Sequence, residues 1–213
     1  MSKPRSARGL RVIAGSARGR RLVAPTGDQV RPTKDIARES MFSALDARGV
    51  LEGAIVLDLY AGTGALAIEA LSRGAAAAVL VERDRAALEA IRANLLVLPS
   101  SSVDPSANPS ANRSTNPSTR PRVDVVARDV GRFLAAGPPP DAPFDLVFVD
   151  PPYDTADEDV TAVLASLNAP GWLAPGAIVS VERPVRHPVV VPPGLSTGWE
   201  RTFGDTLLSF VLP

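Results

Sequence analysis

Five short apolar runs, near 54–60, 78–82, 123–129, 144–150 and 176–182, constrain this chain more than any other feature. Helical patterns near 65–73, 85–97, 130–136 and 156–168 lie between them. Strand–helix alternation of this kind indicates a parallel sheet covered on both faces by the intervening helices. The alternation predicts an α/β fold with a mostly parallel sheet. The tail breaks the pattern: Trp199 to Phe203 and Thr206 to Leu212 flank Gly204-Asp205 and predict an antiparallel hairpin closing one sheet edge.

The N-terminal part is organised differently. Arg11-Val12-Ile13-Ala14 and Arg21-Leu22-Val23-Ala24 surround Gly15-Ser16-Ala17-Arg18-Gly19 and predict a small β-hairpin. Pro32-Thr33 opens a helix to about Leu45, with Thr33 as its cap and Ala37, Met41, Ala44 and Leu45 on one apolar face. Residues 1–50 thus read as a hairpin-and-helix extension, and 51–213 as the main domain. Between a helix and a strand, 99–122 is rich in Pro, Ser, Asn and Thr, with Val103 its only large apolar residue. Such a segment buries too little to offset its ordering entropy, so a disordered insertion is expected.

Charge separates the same two parts. The chain is neutral overall, with 23 basic and 23 acidic residues. Residues 1–50 hold 11 Lys and Arg against 4 Asp and Glu, so 51–213 hold the remaining 12 against 19. Arg5, Arg8, Arg11, Arg18, Arg20, Arg21, Arg31, Lys34 and Arg38 form a basic block. Phosphate suits such a block, because each neutralised phosphate releases counterions, and RNA is the expected partner. Cysteine is absent, which excludes disulfides, zinc–thiolate sites and a thiolate nucleophile. With a single histidine, His187, in a loop, no metal site is expected. No run of eighteen apolar residues suggests a membrane span, and the basic N-terminus lacks the apolar core of a secretory signal. A reducing cytoplasm is the expected compartment.

Candidate chemistry gathers at the strand ends. The first strand ends in Asp58-Leu59-Tyr60-Ala61-Gly62-Thr63-Gly64, and a helix follows from Ala65. Glycines there allow a tight turn and close approach of a ligand, and the helix start adds free N–H groups. Gly62-Thr63-Gly64-Ala65-Leu66-Ala67 also fits the dinucleotide pattern, which keeps NAD open. Asp58 favours a cationic donor instead, since a carboxylate there would repel a pyrophosphate. Glu82 ends the next strand, before Arg83, and can accept ribose hydroxyls in either case. Asp129, before Val130, can accept an adenine amino group, or simply cap the next helix. On the N-terminal helix Arg38 and Glu39 point to different sides: Arg38 toward phosphate, Glu39 toward the donor's amino group.

Asp150-Pro151-Pro152-Tyr153 follows the apolar run 144–149. Two prolines stiffen the turn and remove two N–H donors, which leaves acceptors: the Asp150 carboxylate and a proline carbonyl. Acceptors so placed can hold both hydrogens of a planar amine and aim its lone pair, and Tyr153 can stack on the ring that carries it.

Together these motifs resemble the Rossmann-fold amino-methyltransferases, in which D-x-x-x-G-x-G, a strand-end acid and D-P-P-Y follow in this order. Arg11 to Leu22, Val30-Arg31-Pro32-Thr33 and Ala37 to Phe42 look like the bacterial 16S ribosomal RNA guanine-N2 methyltransferases of the RsmD type. That resemblance implies a Rossmann-like methyltransferase sheet. It implies S-adenosyl-L-methionine as cofactor, held by Asp58, Tyr60, Ala61, Gly62, Gly64, Glu82, Arg83, Asp129, Val130 and Glu39. By the same resemblance Asp150, Pro151, Pro152 and Tyr153 hold the base. The substrate implied is one guanine of 16S rRNA in the 30S subunit or a late assembly particle, with the enzyme a monomer. A DNA adenine-N6 methyltransferase and a non-catalytic ribosome assembly factor remain the alternatives.

Overall fold

The computed structural model describes residues 9–24, 32–99 and 121–213, the side chains of 32–34 excepted. The expectations for Arg5, Arg8, Arg31, the Thr33 cap, the Lys34 side chain and 100–120 lie outside these residues. Elements follow in the order α1 (Pro32–Asp46), β1 (Ile55–Leu59), α2 (Ala65–Ser72), β2 (Ala77–Glu82), α3 (Arg85–Leu95), β3 (Arg122–Ala127), α4 (Val130–Ala135), β4 (Phe144–Val149), α5 (Asp157–Leu167), β5 (Leu173–Pro184), β6 (Ser196–Phe203) and β7 (Thr206–Leu212).

All seven strands join one sheet in the order β3-β2-β1-β4-β5-β7-β6. β1 to β5 pair in parallel, and β7 runs antiparallel to both β5 and β6. The order reverses direction between β1 and β4, which makes their C-terminal ends the natural ligand crevice of an open α/β sheet. Side-chain alternation divides the core. Val56, Ala78, Leu80, Leu146, Phe148 and Ile178 face Phe42 and Leu45 of α1, Ile68 of α2 and Ile91 of α3. Leu57, Leu59, Val79, Val81, Val147 and Val179 face Phe133 and Leu134 of α4 and Leu164 and Leu167 of α5. The fold is therefore three layers, with the α1–α3 and α4–α5 helices on opposite faces.

Three boundaries differ from the expected ones, each for a local reason. β5 begins at Leu173 rather than 176, and its pairing with β4 shifts register between Phe144 and Leu146. Pro175 and Gly176, the latter at φ 78°, form an irregularity that the strand runs through, where sequence patterning reads a break. β6 begins at Ser196 rather than Trp199, because an edge strand exposes most of its side chains and shows little apolar pattern. Arg122, assigned to the insertion, is the first residue of β3 and pairs with Ala77.

The hairpin over 11–24 is a tight loop with one antiparallel bridge, Arg11 to Arg21, not a pair of strands. Its backbone is held largely from outside. Glu69, fully buried in α2, accepts the amides of Ile13 at 2.6 Å and Ala14 at 2.9 Å. The Ser72 hydroxyl accepts from Ala17 N at 2.9 Å and donates to Ala14 O at 2.6 Å. Asn94 of α3 accepts from Val23 N at 2.7 Å and donates to Val23 O at 2.8 Å. A Cβ on Gly15, at φ 78°, would collide with the Ser72 carbonyl, so the loop approaches α2 more closely than any other residue permits. Val12, Ala17 and Leu22 complete the attachment by entering the core shared with α1–α3.

Candidate active site

Each strand end contributes through local chemistry. After β1, Tyr60 adopts φ 62° and Gly62 φ 54°, and Gly64, at φ 74°, caps α2. Gly64 N donates to Ala61 O at 2.7 Å, which closes the turn, while Ala61 N donates to Val81 O at 3.1 Å and ties it to β2. A side chain on Gly64 would press on Leu80 at 3.1 Å. After β2, both Glu82 oxygens accept backbone amides: Gly62 N at 2.8 Å, Arg83 N at 2.7 Å and Asp84 N at 2.8 Å. Glu82 therefore fixes the glycine turn, and as a carboxylate it keeps lone pairs for further donors. After β3, Asp129 caps α4 through Arg132 N at 3.3 Å and accepts from Arg83 Nη1 at 3.0 Å.

A cavity of about 1060 Å³ opens along this edge. Tyr60, Gly62, Glu82, Arg83, Asp129 and Val130 line it, and so do Asp150, Pro151, Pro152 and Tyr153. The donor-side and base-side residues therefore share one space. Ala61 and Gly64 shape its turn from behind. Asp58 lies beneath it, 1% exposed, with Oδ2 accepting from Ala67 N at 3.1 Å. Burial holds the Asp58 carboxyl well above the ordinary range; the Ala67 amide opposes this, and the Asp150 and Glu82 carboxylates add to it. The Asp150 and Glu82 carboxylates thus stand within electrostatic reach of a buried carboxyl that favours its protonated, neutral form.

Two α1 residues are placed differently from expectation. Arg38 is not available to phosphate: it is 8% exposed and donates to Arg11 O at 2.7 Å and Asp35 Oδ1 at 3.2 Å. Its guanidinium anchors the 11–24 loop from inside, and desolvation lowers its pKa. Glu39 is exposed on α1 and does not line the cavity. Arg11 is half-buried, with Nη1 donating to Gly19 O at 3.1 Å, while Arg18, Arg20 and Arg21 are exposed. Trp199 packs on Phe210 with ring centroids 4.6 Å apart.

A further group escaped sequence reasoning. Arg183 of β5 is 1% exposed and donates through Nη2 to Thr155 O at 2.9 Å and to Asp157 Oδ1 at 2.5 Å. His187 Nδ1 sits 3.1 Å from the other Asp157 oxygen. Hydrogen bonds from His187 and Arg183 lower the Asp157 pKa. Arg183 thereby pins the loop that follows Tyr153, so it positions the base-side wall. The sequence offered little signal: Arg183 stands just past the expected strand 176–182, beside Glu182, where a solvated strand end is the ordinary reading. Among the described residues, no group of three or more His, Asp or Glu could hold a metal ion, and no helix is long and apolar enough to cross a membrane.

Comparisons with known proteins show the family. Residues 10–212 match the family described as Conserved hypothetical protein 95. Ribosomal RNA small subunit methyltransferase D of Escherichia coli strain K12 is 36% identical over 197 residues, which span 92% of this chain and 86% of that protein. The protein of the same name from Haemophilus influenzae is 30% identical, spanning 92% of this chain and 89% of its own length. Among solved structures, Escherichia coli yhhF superposes with a TM-score of 0.73 at 31% identity, covering 95% of this chain and 97% of that one. The chain belongs to the bacterial small-subunit ribosomal RNA methyltransferases of the RsmD type.

Proposed function

We propose that this protein transfers a methyl group from S-adenosyl-L-methionine to the exocyclic N2 amine of a guanine in 16S rRNA. The observation that carries this reading is the meeting of Glu82, Asp129 and the Asp150–Tyr153 turn around one cavity. The donor fits what is there. The glycine turn leaves backbone room, the cavity of about 1060 Å³ is ample for a nucleoside with an amino-acid tail, and the Asp150 and Glu82 carboxylates suit its positive charge. Glu82 would take the ribose, Asp129 the adenine amine and the β1 end at Asp58 the amino-acid tail. When bound, the donor supplies an electrophilic methyl on a sulfonium.

The chain's own residues do the rest by positioning. The Asp150 carboxylate and a proline carbonyl take the two amine hydrogens and draw the nitrogen lone pair out of conjugation. Tyr153, 37% exposed at the cavity mouth, offers a face for the base, a contact worth roughly 1–3 kcal/mol. Such a base has to be unstacked first, so the substrate is a flipped or single-stranded nucleotide. Arg183 keeps the 153–157 loop from drifting. The exposed Arg18, Arg20 and Arg21 hold the RNA backbone, and the enzyme works as a monomer in the cytoplasm on the 30S subunit or a late assembly particle.

Tritium transfer from S-adenosyl-L-methionine to undermodified 30S particles, naked 16S rRNA and duplex DNA, followed by nucleoside analysis, tests the reading. Label in N2-methylguanosine from the particles is expected. Label in N6-methyladenine of DNA would replace this function with the DNA alternative, and no transfer to any substrate would favour an assembly factor.

A further inference from the structure

A second concavity, of about 730 Å³, adjoins the donor cavity and is lined by Arg83, Arg128 and Arg132 around Asp129 and Ala127. The two cavities share Arg83, Arg128 and Asp129. Three guanidiniums in one hollow run against the local charge, since residues 51–213 carry 12 basic against 19 acidic side chains. S-adenosyl-L-methionine does not account for them, because it has no phosphate and its one anion, the carboxylate of the amino-acid tail, belongs at the Asp58 end of the site in the proposed reading, not beside Asp129. Asp129 does not account for them either. One of its oxygens pairs with Arg83 at 3.0 Å and the other caps the backbone of Arg132 at 3.3 Å. Arg128 and Arg132 are exposed, and among the described residues no carboxylate pairs with either guanidinium. Arg132 also stands in the last turn of α4, where any cation is mildly favourable, but that does not explain Arg128 or the hollow.

We propose that Arg83, Arg128 and Arg132 form a phosphate-binding rim that grips the RNA backbone next to the base being modified. The inference rests on the proposed rRNA reaction and adds a contact to it. A base entering beside Asp150–Tyr153 carries flanking phosphates past the mouth shared by the two cavities. The exposed Arg128 and Arg132 guanidiniums suit those oxygens, and Arg83, which gives Nη1 to Asp129, keeps further N–H donors for them. The rim then holds the substrate from the β3 side, separately from the 11–24 loop, which is docked on α2 and α3.

The test is the double variant Arg128→Ala/Arg132→Ala, which leaves the Arg83–Asp129 pair in place. Binding to undermodified 30S particles and to a single-stranded RNA oligonucleotide is measured across salt concentrations, beside S-adenosylhomocysteine affinity, melting temperature and kcat at saturating particles. The rim predicts about tenfold weaker RNA binding at low salt and a salt slope shallower by about 1–2. Product affinity, melting temperature and kcat should stay unchanged. Arg128→Lys/Arg132→Lys should recover most of the affinity, and Arg201→Ala, on the opposite sheet edge, should leave the slope alone. An unchanged slope in the double variant, with wild-type transfer intact, overturns the rim and leaves the reaction standing. Parallel loss of S-adenosylhomocysteine binding or of melting temperature overturns it too, by assigning these arginines to the donor site or to folding. A wild type that binds RNA through these arginines but transfers nothing would sink the reaction and keep the rim.

Discussion

The strand-end edge and the 11–24 loop are both built around carboxylates that accept backbone amides, yet they are held in opposite ways. At the edge each acid organises its own neighbourhood: Glu82 takes the amides of Gly62, Arg83 and Asp84, and Asp129 caps the helix that follows it. The loop closes on itself through bonds such as Val12 N to Arg20 O and Gly19 N to Val12 O, but its attachment depends on Glu69, Ser72 and Asn94, residues far along the chain. A strand-end site is thus assembled by the sheet itself. The basic loop is a separate attachment that can be loosened while the sheet stays intact.

Removing the anchor should show this most strongly. Glu69→Ala leaves Ile13 N, Ala14 N and Arg73 Nε without their acceptor, Arg73 keeping Asp46, and should cost roughly 3–5 kcal/mol. Hydrogen exchange at Ile13 and Ala14 should lose protection, while S-adenosylhomocysteine affinity changes less than about twofold, as expected for independent sites. Gly15→Ala should free the loop without touching any charge. Equal loss of donor binding in both variants would mean the two regions are one unit.

Arg183→Ala attacks the other region. With Thr155 O and Asp157 released, kcat should fall about 100-fold through misplacement of the base-side wall. The donor KM should hold, and Arg183→Lys should recover part of the rate. A rise in donor KM alone would place Arg183 in the donor site instead.

Reversal of Arg18, Arg20 and Arg21 to Glu should weaken RNA binding. Its salt dependence should flatten by about one slope unit for each phosphate left without a cation, with melting temperature unaffected. Unchanged binding would remove the loop from the RNA interface.

Asp58→Asn should give the smallest effect, a change of slope. Asp58 keeps its proton to higher pH when folded, because it is buried beside Ala67 with Asp150 and Glu82 near. Between the ordinary carboxyl pKa and its folded value the folded chain binds more protons than the unfolded one. Stability therefore falls as pH rises through that window. Asparagine can still accept from Ala67 N, and melting curves should lose that fall. A wild-type slope in the variant would show that Asp58 ionises freely.

How far the sequence could be read follows the same division. The parallel strands were readable because burial on both faces leaves predominantly apolar runs such as Ala77–Val81 and Leu146–Val149. The edge was readable because its acids, glycines and prolines act within a few residues of themselves. The loop's attachment was not, because Glu69 and Asn94 look like surface residues of ordinary helices until the loop covers them. Arg38 misled for the same reason: it belongs to a basic block by sequence and to the interior by packing. The Arg183–Asp157–His187 group joins β5, α5 and the loop after β5, and no local spacing announces it.

Single-turnover transfer on undermodified 30S particles, comparing the wild type with Asp150→Ala, tests the central claim most directly. The account predicts label in N2-methylguanosine with the wild type and loss by about 10²–10⁴-fold in the variant, which still binds S-adenosylhomocysteine. Transfer by Asp150→Ala at the wild-type rate would contradict it.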